Sequence, residues 1–390
     1  MSDLLTKVRE GLRPPAAAGS GAGSGRWLVP VVWLAIGLAL LAFPFYLETF
    51  WLRTGLLAMA AAIGAIGLNM LSGSTGQLSL GHAFFLAMGA YGYCVLAGDP
   101  DGPATGLGLP PLLAVVLAVL LTGVAGGLFS PIAGRLRGAY LGIATLALIF
   151  IGQHVLFNAH DLTGGFNGRV VPRLEVFGFV FDAERIVVAG VPFQAMEKLW
   201  YVGLVLLLGC VLFARGVLRG RPGRAMNAIR DHQIAAGVMG VPVARYRGMV
   251  FVISSMYAGL AGVLLALVFE RTVPTYFSIV LSLEYLAMIV IGGLGSVGGA
   301  VLGATFVSMT PLILTRYSEA LPLVTAPGTG GGFAPGEVSR FLYGGAVVAA
   351  VLFLPGGLAR LPAAWRARQR ARRPAGEAGP DTQRNEEVPR

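Results

Sequence analysis

Long apolar runs separated by polar connections dominate the pattern of this 390-residue chain. About ten of these runs approach the roughly 18–20 residues that cross the apolar core of a bilayer as a helix. Their predicted limits are 27–47, 51–71, 76–98, 110–129, 139–158, 197–213, 247–269, 279–295, 298–315 and 339–357. The pattern therefore predicts an all-α polytopic membrane protein with about ten transmembrane helices.

Composition supports this class. Charged residues make up 12% of the chain, about half of the roughly 25% that is typical of soluble domains. The 57 glycines suit close packing between membrane helices. The net charge of +10 lies in loops and tails between the apolar runs, so membrane topology explains it better than nucleic-acid binding, and we expect lipid but no nucleic acid as a partner.

Arginines occur in alternate connections, which by the positive-inside rule face the cytoplasm. They occupy loop 130–138, the tail after 358 and above all 214–247, where seven of them stand against one acid. With ten spans, both termini are then cytoplasmic. The predicted division is a cytoplasmic segment 1–26, a transmembrane domain 27–358 with an external loop 159–196 and a cytoplasmic loop 214–246, and a basic, disordered tail 359–390.

Ten spans also divide into five and five about the external loop, which is compatible with an inverted repeat. Glycine-rich breaks, GSTGQLSLGH in 73–82 and GGLGSVGG in 292–299, stand at what we interpret as corresponding places in the two halves. The glycines of 292–303 allow either a tight hairpin or a broken helix. Within the external loop, VPRLEVFGFVF predicts a short strand or a piece lying on the surface.

Two groups of polar residues within the apolar runs are candidates for a translocation pathway. Gln77, Ser79 and His82 follow glycines that make local unwinding easy, although His82 also fits a hydrogen bond to a neighbouring helix. Glu284 is an acid about 8 Å inside a predicted span. An intramembrane acid faces a cavity or a partner, so Glu284 either lines the pathway or pins two helices together.

The core of the basic segment, 224–239, predicts one amphipathic helix that ends at Gly240 and Pro242. Met226, Ile229, Ala236 and Met239 form its apolar stripe. The helix is too short and too polar to cross a membrane. It either lies on lipid or docks in a groove of a partner protein.

Several kinds of catalytic site are excluded. The two lysines, Lys7 and Lys198, are followed by Val8 and Leu199, so the chain has no Gly-Lys-Ser/Thr phosphate loop. It also lacks the HExxH and CxxC motifs. We expect a transport subunit that is not an enzyme and that binds no metal or cofactor; any ATP would be bound by partner subunits.

Several long motifs, in order, resemble the membrane permease subunit of branched-chain amino acid ABC transporters. They are LSGSTGQLSLGHAFFLAMGAY, RLRGAYLGIATLAL, LTGGFNG, GRAMNAIRDHQIAAGVMGVPVARYRGMVFVISSMYAGLAGVL and IGGLGSVGGAVLGA, within residues 50–360. The resemblance implies a multi-pass protein of the cell inner membrane. It also implies three kinds of partner: a periplasmic substrate-binding protein, a second related permease and two cytoplasmic ATPase subunits.

In such importers, a cytoplasmic segment with an EAA-type signature couples the permease to the ATPase. Ala235, Ala236 and Gly240 match that signature, whereas Ile234 stands where the acid is expected. The polar docking contact is therefore open, with Arg230, Asp231 and Gln233 as candidates. The solute is also open, because urea, short amides or other amino acids fit the same machinery. A gradient-driven secondary transporter and a scaffold that moves nothing are the alternatives of a different class.

Overall fold

The computed structural model describes residues 28–102, 105–136, 138–176, 179–180, 186–188, 191–318, 334–353 and 356–360. The predicted segment 1–26 and most of the predicted tail lie outside these residues.

Helices form nearly all of the described chain. In order they are α1 (Leu28–Tyr46), α2 (Thr49–Thr75), α3 (His82–Leu96), α4 (Pro111–Arg135), α5 (Ala139–Asn158), α6 (His160–Thr163), α7 (Ala195–Arg219), α8 (Arg221–Asp231), α9 (Gln233–Val238), α10 (Val243–Phe269), α11 (Ile279–Gly292), α12 (Val297–Arg316) and α13 (Pro335–Phe353). Short strands are β1 (Arg169–Val170), β2 (Glu175–Val176), β3 (Phe179–Val180), β4 (Ile186–Val188), β5 (Val191–Phe193) and β6 (Arg271–Thr272).

Each predicted apolar run contains one helix, although residues 76–81 of the run 76–98 are not helical and only His82–Leu96 of that run is a helix. The all-α membrane fold is confirmed. Within the described part of the chain, eight helices are long and apolar enough to cross a membrane, and the apolar stretches Gly37–Tyr46 and His82–Leu96 are shorter. The count of ten crossings and the cytoplasmic termini stay predictions. The described residues fall into two units, one up to Leu47, which contains α1, and one from Glu48 onward. The second unit contains all the other helices.

Two long helices, α2 and α10, form the centre of this unit. Each has 27 residues. In the most apolar 18-residue stretch of each helix, 94% of the residues of α2 and 72% of those of α10 are buried. They approach closely where Gly67 of α2 meets Tyr257 of α10. Next to them, Gly89 of α3 lies against the backbone of Gly259 in α10. Small residues at these points allow the backbones to approach, which is how helices associate where apolar burial gives no advantage.

The helices around this centre present apolar side chains to the outside. Examples on α4, α5 and α7 are Val124, Ile143 and Val205. An exposed row of this kind on a membrane helix is suited to lipid or to another membrane protein.

At one end of the bundle, a buried arginine joins the connections that the sequence predicts to be external. Arg169 Nη1 donates to the carbonyl oxygens of Thr105 at 2.7 Å and Leu162 at 3.1 Å. Burial lowers the pKa of this guanidinium. Strand β1 pairs antiparallel with β6, so the loops around 105, 162 and 271 meet at one end, as the predicted topology requires. Of the two alternatives for VPRLEVFGFVF, the short strand is the observed one, since β2 pairs antiparallel with β3.

At the other end, the loop after α2 lies beside the turn between α11 and α12. This turn is a tight hairpin, with positive φ at Gly293 and Gly295, so the hairpin alternative for 292–303 is the observed one. Gly73 of α2 packs directly on Gly295. Our interpretation of the two glycine-rich breaks as corresponding positions of an inverted repeat is therefore wrong, because inverted equivalents would lie at opposite ends. The repeat itself stays a prediction. It is compatible with α2 and α10, which are the second spans of the two halves and are similar in length and burial.

Two glycines of α3 test the close-packing argument. A Cβ at Gly89 would lie 2.5 Å from the Cα of Gly259, whereas a Cβ at Gly92 would meet Ala118 at an ordinary 3.6 Å. We expect Gly89→Ala to lower the free energy of unfolding by about 1–3 kcal/mol through overpacking. Thermal unfolding in detergent measures this effect. Gly92→Ala is the control and should leave stability unchanged; equal stability of the two variants would contradict the packing argument.

Candidate functional site

The polar segment after α2 folds back into the bundle. Its candidate pathway residues Gln77, Ser79 and His82 are each only 2% exposed. Hydrogen bonds hold the segment on two sides: Leu80 N donates to Thr145 Oγ1 on α5 at 2.9 Å, and Ala83 N donates to Ser282 Oγ on α11 at 2.9 Å. The segment thus lies between α5 and α11, inside the protein.

Three side chains in this region hold unused hydrogen-bonding capacity. The rings of His82 and Tyr285 are 4.9 Å apart, and one ring nitrogen of His82 bonds the backbone of Gly64. Among the described residues, His82 Nε2, the Tyr285 hydroxyl and both amide atoms of Gln77 have no partner. Buried polar atoms are nearly always satisfied, so these positions are chemically suited to a polar solute. Their role in a pathway stays a prediction, because none of them reaches solvent in this conformation.

Glu284 is half-buried on α11. It has an electrostatic interaction with Arg340 on α13. Tyr343, one turn further along α13, donates its hydroxyl to the Val307 carbonyl oxygen of α12 at 2.6 Å. The charge of Arg340 near Glu284 is compatible with the alternative in which Glu284 helps to hold helices together, and both alternatives for Glu284 stay predictions. The sequence analysis missed Arg340, since nothing in the pattern shows which helix faces Glu284.

The predicted single helix 224–239 is wrong. The backbone is extended at His232, with φ −147° and ψ 91°, and this residue separates α8 from α9. Met226, Ile229 and Ala236 are buried as the predicted stripe requires. Met239 is exposed, because the break turns the end of the segment away from the bundle.

The break creates a surface that the sequence analysis missed. Ile234, Val238 and Met239 are 78%, 84% and 83% exposed and form what we call the apolar tip. Single exposed apolar residues are ordinary, but an apolar group within a charged surface is typical of an interaction site. With α9 recognised as a separate helix, the i, i+4 spacing of Ile234 and Val238 is the sequence signal that would have found it.

The candidate coupling residues are not equivalent. Ala235 is exposed, Gln233 is half-buried, and Gly240 has a positive φ of 83° that disfavours a side chain. Arg230 Nη1 donates to the Gly73 carbonyl oxygen of α2 at 2.8 Å. Through this bond Arg230 contacts the membrane domain itself. Its Nε also lies 3.3 Å from Asp231 Oδ1. The assignment of these residues to ATPase contact stays a prediction.

Comparison with known proteins decides the family. The family model described as the permease component of branched-chain amino acid transport systems matches residues 51–351. The chain belongs to this family.

Curated relatives of this permease come from bacteria and archaea. It is 31% identical over 317 residues to the high-affinity branched-chain amino acid transport system permease protein LivM of Escherichia coli (strain K12), covering 78% of this chain and 72% of that protein. It is 26% identical to the probable permease LivM of Methanocaldococcus jannaschii, covering 66% and 70%. It is also 25% identical to the permease LivH of Salmonella typhimurium, covering 66% and 82%.

A solved structure, PsaBC from Streptococcus pneumoniae in complex with Fab, covers 82% of this permease and 96% of that chain. Its TM-score is 0.41 and its identity is 13%. This likeness is too weak to support an argument about the site.

Two tyrosines of the permease test the unused hydrogen-bonding capacity. Tyr285→Phe removes a hydroxyl with no partner, so we expect the free energy of unfolding to stay the same or rise slightly. Tyr343→Phe removes the bond to the Val307 carbonyl oxygen and should cost about 0.5–1.5 kcal/mol. Thermal unfolding of both variants in detergent makes the comparison. An equal loss in Tyr285→Phe would show that its hydroxyl is bonded after all.

Proposed function

We propose that this chain is the membrane subunit of an ATP-driven importer of branched-chain or similar amino acids in the cell inner membrane. Its apolar tip is the docking contact for separate ATPase subunits. The observation that carries the proposal is this exposed tip, which lies on the segment that resembles the ATPase-coupling signature of such importers.

The chemistry of the segment favours a protein partner over a lipid surface. The apolar tip is small and is carried by a helix of only six residues, α9. A helix that lies on lipid instead presents a long apolar face. The same segment, 214–247, carries exposed arginines that would complement acidic groups of a protein partner. They are Arg215, Arg219, Arg221, Arg224 and Arg245.

The sequence also bears on which subunits would bind ATP. The sequence has no phosphate loop, so the proposal places ATP on partner subunits and no cofactor on this chain. The family membership supports this arrangement. The likeness to relatives named LivM and LivH supports pairing with a second, related permease. A periplasmic substrate-binding protein would deliver the solute at the end where Arg169 joins the loops.

Alternating access then needs no covalent chemistry on this chain. Closure of the ATPase dimer would move α8 and α9, and the tightly packed bundle would switch between openings as a rigid body. The polar groups of Gln77, His82 and Tyr285 would meet the solute when the bundle opens. A gradient-driven transporter, with Glu284 as its intramembrane acid, is the alternative that the reconstitution below distinguishes.

Reconstitution tests the function. The chain would be placed in vesicles with its second permease, ATPases and binding protein, without any ion gradient. We expect radiolabelled leucine to accumulate only with ATP. Competition with isoleucine, valine, urea and short amides would distinguish the candidate solutes. Uptake that needs an ion gradient but no ATPase subunit would contradict the proposal.

A charge in the apolar tip tests the docking contact. Val238→Asp places a carboxylate at an 84% exposed position, so it should fold normally but lose ATPase binding, because the carboxylate would be buried unpaired in the groove. We expect ATPase subunits to dissociate during purification and leucine uptake to fall at least about tenfold. Asn227→Asp, which adds the same charge at an exposed position of α8, is the control. Retention of ATPase subunits by Val238→Asp would show that the tip is not the contact.

A further inference from the structure

A side chain of α8 caps the last turn of α2. That helix ends at Thr75 and is followed by Gly76, whose φ of 68° closes the turn and whose N–H donates to the Ser72 carbonyl oxygen at 3.1 Å. The next carbonyl oxygen, that of Gly73, accepts from Arg230 Nη1 at 2.8 Å. Final helix carbonyls lack main-chain donors, and a cation at this position is favoured by the helix dipole.

One turn earlier in α2, Asn69 joins the helix to the turn between α11 and α12. Its Nδ2 donates to the Ser296 carbonyl oxygen at 2.8 Å, and its Oδ1 accepts from the Gly295 N–H at 2.8 Å. The side chain is buried. An amide that uses both of its ends on the backbone of two consecutive residues, Gly295 and Ser296, fixes the position and the orientation of that turn.

The turn and the end of α2 have no room to slide past each other. A Cβ at Gly73 would lie 2.9 Å from the Cα of Gly295. The turn also sets the start of α12, because Ser296 Oγ accepts from the Gly299 N–H at 3.1 Å. A displacement of the end of α2 would therefore be passed to the α11–α12 turn and to α12.

We propose that Arg230 and Asn69 form a relay that transmits movement of α8 to the α11–α12 turn. Arg230 is then a positioning residue that acts inward on α2, and the ATPase is contacted by the apolar tip. The relay rests on the proposed function, because α9 must be moved by an ATPase. Asp231 Oδ1, 3.3 Å from Arg230 Nε, orients the guanidinium.

Arginine is the residue type that this position requires. Its fork bonds the Gly73 carbonyl oxygen through Nη1 while Nε faces Asp231. A lysine ammonium is a point charge at the end of a flexible stem and cannot reproduce both contacts. Arg230→Lys should therefore keep the charge at the end of α2 but transmit movement less well.

The first test measures coupling in the complete importer in vesicles, as leucine molecules imported per ATP hydrolysed. Arg230→Ala should hydrolyse ATP at close to the wild-type rate, while leucine imported per ATP falls at least about tenfold, the factor expected for a lost hydrogen bond from a charged donor. Arg230→Lys should be intermediate. Asn227→Ala, at an exposed position of α8 with no assigned role, is the control and should match the wild type. An unchanged ratio in Arg230→Ala would overturn the relay.

The second test does not depend on the solute. Hydrogen–deuterium exchange at residues 293–296 of the complete complex would be compared without nucleotide and with ATP plus vanadate. In the wild type we expect exchange in this turn to change with nucleotide. Arg230→Ala should keep the nucleotide-free protection, which Asn69 supplies, and lose the response to nucleotide.

Three results of the exchange measurement would overturn the relay. They are an absent response in the wild type, a response that persists in Arg230→Ala, and a loss of protection in both states of that variant, which would indicate a structural role only. If the wild type fails to import leucine but the exchange pattern is as expected, the relay stands and the proposed solute falls.

Discussion

Glycine lets the central helices of this permease meet backbone to backbone, and the rest of the structure depends on that contact. In a bilayer the lipid is as apolar as a leucine side chain, so helices associate through close packing and hydrogen bonds instead. Gly67 meets Tyr257, and Gly89 meets Gly259, so α2, α3 and α10 form one tightly packed unit. The outer helices and both sets of loops are placed by this unit.

A tightly packed bundle transmits displacement instead of absorbing it, since protein interiors are close-packed. Its two ends are held by different means. At the predicted external end, the Arg169 side chain joins two loops through the carbonyl oxygens of Thr105 and Leu162, and the pairing of β1 with β6 adds a third. At the predicted cytoplasmic end, Asn69 and Arg230 hold the α11–α12 turn and α8 against α2. The second arrangement is the more useful for transport, because it ties the segment proposed to meet the ATPase to the membrane helices.

Much of the fold can be predicted from the local pattern of apolar and polar residues, whereas the candidate site cannot. An apolar run of membrane length predicts a helix because the unsatisfied backbone must pair within the segment, and each predicted run contains a helix. An exception within the runs is 76–81, whose polar residues form an irregular segment. The glycine-rich turn at 293–296 was one of two alternatives, since its glycines permit positive φ. The break at His232 was missed because no glycine or proline marks it, and the apolar tip was missed with it.

The contacts that define the site join residues far apart in sequence. Asn69 and Ser296 are 227 positions apart, and Arg230 and Gly73 are 157 apart. No periodicity or motif relates such positions, because their pairing is decided by how the helices pack. The same reason explains the error about the two glycine-rich breaks, which resemble each other in composition but lie in contact at one end.

The central claim is that the segment carrying the apolar tip faces the cytoplasm and contacts an ATPase. Photocrosslinking in native membranes tests it most directly, with the crosslinking amino acid placed either at Val238 or at Phe166, which is exposed at the opposite end of the bundle. We predict a crosslink to a co-expressed ATPase subunit from position 238 and none from position 166. A crosslink from 166, or none from 238, would contradict the account.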